Sequence, residues 1–197
     1  ERTYESIPDN DKLLYKLAVD KEAQKTSITF NFKKNKPLVQ DFTEFGNSIA
    51  EQLALQMMNN RFREYTINNE TALLSAGVSH SSLTRLSSLF TLTVNPKNGR
   101  LLEAFQQAYT EYERAIQNGF TKEELDRVKE NMRTGYENQL KNKDKISNES
   151  WASQLQNYFL EASPVMSLED EVEFVKSTLD KLDINQVNKQ FRALPTE

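Results

Sequence analysis

An α+β fold, with an antiparallel or mixed sheet and helices packed mainly on one face of it, follows from three observations. Apolar and polar residues alternate in short stretches that all lie before Pro96. Those stretches come in neighbouring pairs, which favours local antiparallel pairing over long crossovers. Beyond Arg100, apolar residues instead recur every three or four positions, the period of a helix with one buried face.

Taken in order, Leu13, Tyr15, Leu17 and Val19 alternate with other residues after a polar lead-in at Pro8-Asp9-Asn10-Asp11. This predicts a strand with one buried face, closed by a turn at Asp20-Lys21-Glu22-Ala23. Thr26, Ile28, Phe30 and Phe32 then alternate cleanly with Ser27, Thr29, Asn31 and Lys33, the strongest strand signal in the chain. These two strands are expected to neighbour each other in one sheet. Pro37 breaks the pattern before a long helix, expected to reach about Arg63, that carries Phe42, Phe45, Ile49, Leu53 and Met57 on one face.

A polar turn at Asn68-Asn69-Glu70 precedes a second strand pair. Its first strand carries Ala72, Leu74, Ala76 and Val78 and its second Ser88, Phe90, Leu92 and Val94, joined through Ser79-His80-Ser81-Ser82 and ended by Pro96-Lys97-Asn98-Gly99. Helices follow. Leu101, Leu102, Phe105, Tyr109, Tyr112 and Ile116 mark one apolar face, stopped at Asn118-Gly119. Thr121 and Glu124 form a capping box for the next helix, with Leu125, Val128, Met132 and Tyr136 inward. A helix from Ile146 to Phe159 carries Trp151, Leu155 and Tyr158. Ser167 with Asp170 caps one holding Val172, Val175 and Leu179, and Asp183 with Gln186 caps the last, with Ile184, Val187 and Phe191 inside.

The chain of 197 residues is expected to be a single domain. Its charge of −4, from 25 basic and 29 acidic residues interspersed along the helices, offers no basic stripe for nucleic acid. With no cysteine there are no disulfides or thiolate metal sites, which leaves the compartment open. No apolar run approaches the roughly 20 residues of a membrane helix. The chain opens at Glu1-Arg2-Thr3 without an initiator Met and stops at Pro195-Thr196-Glu197, as expected of a segment taken from a larger multidomain polypeptide.

Chemistry is sparse. A hydrolytic zinc site needs three protein ligands and an open position, and His80 is the one histidine. It reads as an exposed loop residue. The carboxylates Glu123-Glu124 and Glu169-Asp170-Glu171 sit at helix starts, where they complement the dipole, and are read as structural. The 5 glycines form no phosphate loop, and no spacing supports a Ser-His-Asp arrangement. No catalytic, cofactor-binding or metal-binding residue is therefore assigned. The strand at residues 26–33 has the character of one to which an extended peptide could add, although a fully paired position inside the sheet is the plainer expectation.

Two segments carry a family resemblance. Arg114 to Tyr136 contains a helix, then Gly119-Phe120-Thr121-Lys122-Glu123-Glu124-Leu125, then another helix; Leu53-Ala54-Leu55-Gln56-Met57-Met58-Asn59-Asn60-Arg61-Phe62 ends a helix in an Asn-x-Arg-type sequence. Their order and separation resemble the pitrilysin/insulinase-type zinc metallopeptidases, over about Leu13 to Leu194. That resemblance implies a non-catalytic, second-type domain of a large bacterial, periplasmic or cell-envelope member. In such a protein the domain would follow the catalytic domain, pack on it and line the chamber that encloses the peptide substrate. Zinc is implied in the catalytic domain of the parent protein and not here, since His-x-x-Glu-His is absent. Some family domains present an Arg and, after Gly-Leu-x-Tyr, a Tyr to substrate. Arg63 would be offered for the first, but Asn68-Asn69-Glu70-Thr71-Ala72-Leu73-Leu74 lacks the Gly and the Tyr, so that role is not carried over. The alternative expectation is a catalytically dead structural or interaction subunit of a peptidase-like complex.

Overall fold

The computed structural model describes residues 4, 7–8, 10–37, 41–68, 70–161 and 165–195. Asp9 and Asn69, expected in the lead-in and a turn, lie outside these residues, as do 1–3 and 196–197. The elements are β1 (Ile28–Asn35), α1 (Phe42–Asn68), β2 (Leu73–Thr84), β3 (Ser87–Pro96), α2 (Leu101–Asn118), α3 (Lys122–Lys141), α4 (Asn148–Glu161), α5 (Leu168–Lys181) and α6 (Ile184–Ala193). The chain divides into two compact units. One comprises Glu1–Lys36, Met58–Asn118 and Ala193–Glu197; the other comprises Pro37–Met57 and Gly119–Arg192.

The first unit is a three-stranded antiparallel sheet in the order β1-β3-β2 with helices on one face. Cross-strand partners place Phe30, Leu92 and Val78 in one row and Phe32, Phe90 and His80 in the next. On this face Val78, Phe90, Leu92 and Val94 are buried, Phe30 stacks on Phe105 of α2 (5.0 Å) and Phe90 lies against Tyr112 (6.1 Å). The opposite face carries Asn31, Thr91 and Ser79, with Thr91 Oγ1 donating to Asn31 Oδ1 (2.9 Å). One face apolar and one polar is what the alternation in residues 26–33 requires.

Four expectations for the first unit need correction. Residues 13–19 form no strand and leave their apolar side chains in solvent, so β1 neighbours β3 and not an earlier strand. Alternation shows how a segment can pair, not that a partner lies in the same chain. Ser79-His80-Ser81-Ser82 is not a connection: it lies inside β2, and the turn falls at Arg85-Leu86. A polar outer strand resembles a turn in composition. Leu74 points to solvent while Leu73 is buried, because an irregularity between Leu73 and Ser75 shifts the phase of the strand. On α2 the buried line is Ala104, Ala108, Tyr112 and Ala115, with Leu102 exposed: alanines let the helix approach the sheet closely, while Phe105 wedges along its flank.

The second unit is helical. Leu125 and Val128 of α3 are buried, as are Val172, Val175 and Leu179 of α5, and two ion pairs join these helices: Arg133 with Asp180 (2.7 Å) and Lys176 with Glu137 (2.6 Å). All three expected caps form. The Thr121–Glu124 capping box is complete, Ser167 Oγ accepts from Asp170 N (3.1 Å), and Asp183 and Gln186 bond each other's backbone N–H (2.8 Å each). Gly119 takes φ +75°, the left-handed conformation that ends α2. The long helix runs to Asn68, past the expected Arg63, and its expected face is turned at the start: Phe42 is exposed while Ile49, Leu53 and Met57 are buried.

Candidate functional site

Outer strands of a sheet present backbone groups to solvent or to a partner, and here β1 and β2 are both outer strands. The strand expected to lie inside the sheet is thus at its margin. Lys36 N–H donates to Leu86 O (2.9 Å), so in the antiparallel register the even-numbered residues of β1 turn their backbone groups toward β3. Those of Thr29, Asn31 and Lys33 turn outward. The β2 margin is treated differently: Asn59 Oδ1 accepts from Val78 N–H (2.8 Å) and Asn59 Nδ2 donates to Val78 O (3.0 Å). One side chain from α1 thereby occupies the position a strand would take.

The second unit contains a groove of about 720 Å³ lined by Phe42, Trp151, Leu155, Met166 and Phe174, with Asp170 at its rim. Phe174 of α5 holds the rings of Phe42 (5.8 Å) and Phe45 (5.3 Å). Trp151 and Leu155 sit one turn apart on α4 and, with Tyr158 and Phe159, leave an apolar stripe largely in solvent. The Ile146 to Phe159 periodicity correctly marks a helix, but its apolar stripe is not core.

His80 is not a loop residue. It lies within β2 opposite Phe90, half-buried, with Nε2 shielded from solvent. The carboxylates at helix starts are engaged locally: Glu124 Oε2 accepts from Thr121 N–H (2.7 Å), Asp170 Oδ2 accepts from the Ser167 hydroxyl (2.7 Å) and Glu169 pairs with Lys143 (2.7 Å). Glu171 differs, since burial raises its carboxyl above the usual range while a hydrogen bond from Tyr136 opposes the shift. Tyr136 is in turn raised by burial and by that carboxylate. Arg63 is exposed and donates to Asn60 Oδ1 (2.8 Å), on the helix surface. Among the described residues, no group of three or more His, Cys, Asp or Glu side chains could hold a metal ion. With one histidine and no cysteine, the residues do not fit a hydrolytic zinc. No helix is long and apolar enough to cross a membrane among the described residues.

Comparison with known proteins agrees with this architecture. The family model described as the peptidase M16 inactive domain matches residues 3–132. The fold resembles the first half of the periplasmic protease PqqL from Escherichia coli, with TM-score 0.82 and 19% identity over 89% of this chain and 38% of that one. The full PqqL structure gives TM-score 0.82 and 20% identity over 89% of this chain, which spans only 19% of its length. The inactive peptidase domain of a candidate zinc protease from Bordetella parapertussis gives TM-score 0.59 and 11% identity over 87% of this chain and 86% of that one. No curated protein sequence matches. The family match covers more than half of the chain, and the chain therefore belongs to the peptidase M16 inactive-domain family, of insulinase-type proteases.

Proposed function

We propose that residues 1–197 act as one non-catalytic domain of a larger zinc metalloendopeptidase, supporting its catalytic domain and lining the chamber that holds the peptide. The observation that carries this reading is the match to an inactive peptidase domain in a chain with one histidine, no cysteine and, among its described residues, no group of side chains that could hold a metal ion. Zinc then belongs to the catalytic domain of the parent polypeptide. The outward backbone groups of β1 and the apolar groove beside Trp151 give the domain two surfaces of the kind that hold an extended peptide: one through main-chain hydrogen bonds, the other through an apolar side chain. A periplasmic or cell-envelope setting is favoured by the likeness to the periplasmic PqqL.

The decisive comparison is between the full-length polypeptide and its variant with the catalytic His-x-x-Glu-His mutated. Chelator-sensitive peptide cleavage that is lost in the variant supports the supporting-domain reading. A full-length polypeptide with no such sequence and no bound zinc removes it and leaves the second reading, a catalytically dead structural subunit working beside a separately encoded peptidase.

A further inference from the structure

The least explained part of the chain is residues 13–19. On a strand their side chains would divide into Leu13, Tyr15, Leu17 and Val19 on one side and Lys12, Leu14, Lys16 and Ala18 on the other. In the structure the segment belongs to no sheet, and those four apolar side chains are 85%, 82%, 66% and 83% exposed. Local contacts set it off at both ends. Asn10 Nδ2 donates to Lys12 O (2.8 Å), and beyond Val19 a turn forms in which Glu22 N–H donates to Asp20 Oδ1 (2.8 Å) and Ala23 N–H to Asp20 O (3.2 Å). With Leu14 also 76% exposed, a run of large apolar side chains is left in water on a segment outside any sheet, which is an unfilled pairing surface and not a scatter of single exposed residues.

Its partner is not the sheet of this chain. The β1 margin stands only one turn and a short connection away, and the segment does not take it. We infer that residues 13–19 are an extra strand that adds to the sheet margin of a neighbouring domain in the same polypeptide, with Leu13, Tyr15, Leu17 and Val19 extending that domain's apolar face. Lys12 and Lys16 then lie on its solvent face, where lysines discourage further strand addition. This rests on the reading of the chain as one domain of a larger protein, in keeping with its spanning 19% of the full PqqL chain. The side carrying Leu13, Tyr15, Leu17 and Val19 is apolar throughout, while the other alternates Lys12 and Lys16 with Leu14 and Ala18.

Amide hydrogen exchange followed by mass spectrometry, on the 1–197 chain and on the full-length polypeptide, tests the inference. Amides of residues 13–19 are expected to exchange freely in the chain alone and at least about a hundredfold more slowly in the full-length protein. Leu17→Pro, which removes a ladder donor, is expected to leave the melting of the 1–197 chain unchanged while abolishing that protection. Equal exchange in both contexts, or protection already present in the chain alone, overturns the inference. Protection that grows with concentration of the chain alone would do so too, by assigning the segment to a second copy. Zinc content and cleavage by the full-length protein report separately on the function proposed above, so failure of one reading is distinguishable from failure of the other.

Discussion

Asn59 of α1 satisfies both backbone polar groups of Val78, accepting from its N–H at 2.8 Å and donating to its carbonyl at 3.0 Å. A helix side chain thus closes one margin of the sheet at its middle, where Gly77 leaves room: a Cβ there would meet Asn59 Oδ1 at 3.3 Å. Asn59→Ala is expected to cost about 1–2 kcal/mol by urea denaturation, the worth of two part-buried hydrogen bonds. It should also promote concentration-dependent self-association through the freed margin, read by light scattering. A monomer with unchanged stability would show that the contact is incidental.

Gly119 and Gly99 share a left-handed conformation, at φ +75° and +76°, but not their surroundings. A Cβ at Gly119 would meet Asn188 Nδ2 at 2.7 Å, and that side chain accepts from Phe120 N–H (2.7 Å) and donates to Phe120 O (3.2 Å). Nothing lies within 4 Å of a Cβ at Gly99. Gly99→Ala should therefore cost about 1 kcal/mol, from backbone strain. Gly119→Ala should cost roughly 2–4 kcal/mol, from strain and loss of the Asn188 contacts. Equal costs would contradict the clamp.

Those contacts also show what local chemistry made legible. The caps at Thr121, Ser167 and Asp183 could be read because donor and acceptor lie three residues apart. The stop at Gly119 was equally local. Asn59 gave no such signal: its partner is 19 residues away, and a lone Asn in a helix has many uses. Ser79 to Ser82 read as a turn because a solvent-facing outer strand and a turn share a polar composition. The sequence marked the apolar stripe of α4 without saying what covers it, because periodicity records which face is apolar and not whether anything packs on it.

The stripe has a stability consequence. Leu155 is exposed and Leu179 fully buried. Leu179→Ala is expected to lose about 2–5 kcal/mol. Leu155→Ala should change the stability of the chain by no more than about 0.5 kcal/mol. Chemical denaturation of the two variants checks the pair, and a large loss at Leu155 would place the α4 stripe in the core.

Burial raises the Glu171 carboxyl above its unfolded value, so the folded state binds a proton that the unfolded state releases. The resulting stability is fully present below the ordinary carboxylate pKa and is lost as pH rises through the higher folded value. Glu171→Gln, which retains an acceptor for Tyr136, is expected to melt higher than the native chain at pH 7 and equally at pH 3.5. Thermal melts across that range decide it, and a variant less stable at neutral pH would reverse the sign.

The measurement that bears most directly on the central claim is metal analysis of the purified 1–197 chain together with a peptide-cleavage assay, each with and without chelator. If the proposed function holds, the 1–197 chain is expected to bind no stoichiometric zinc and to cleave nothing by itself, while the full-length polypeptide is expected to do both. Stoichiometric zinc with chelator-sensitive cleavage in the 1–197 chain would contradict the account.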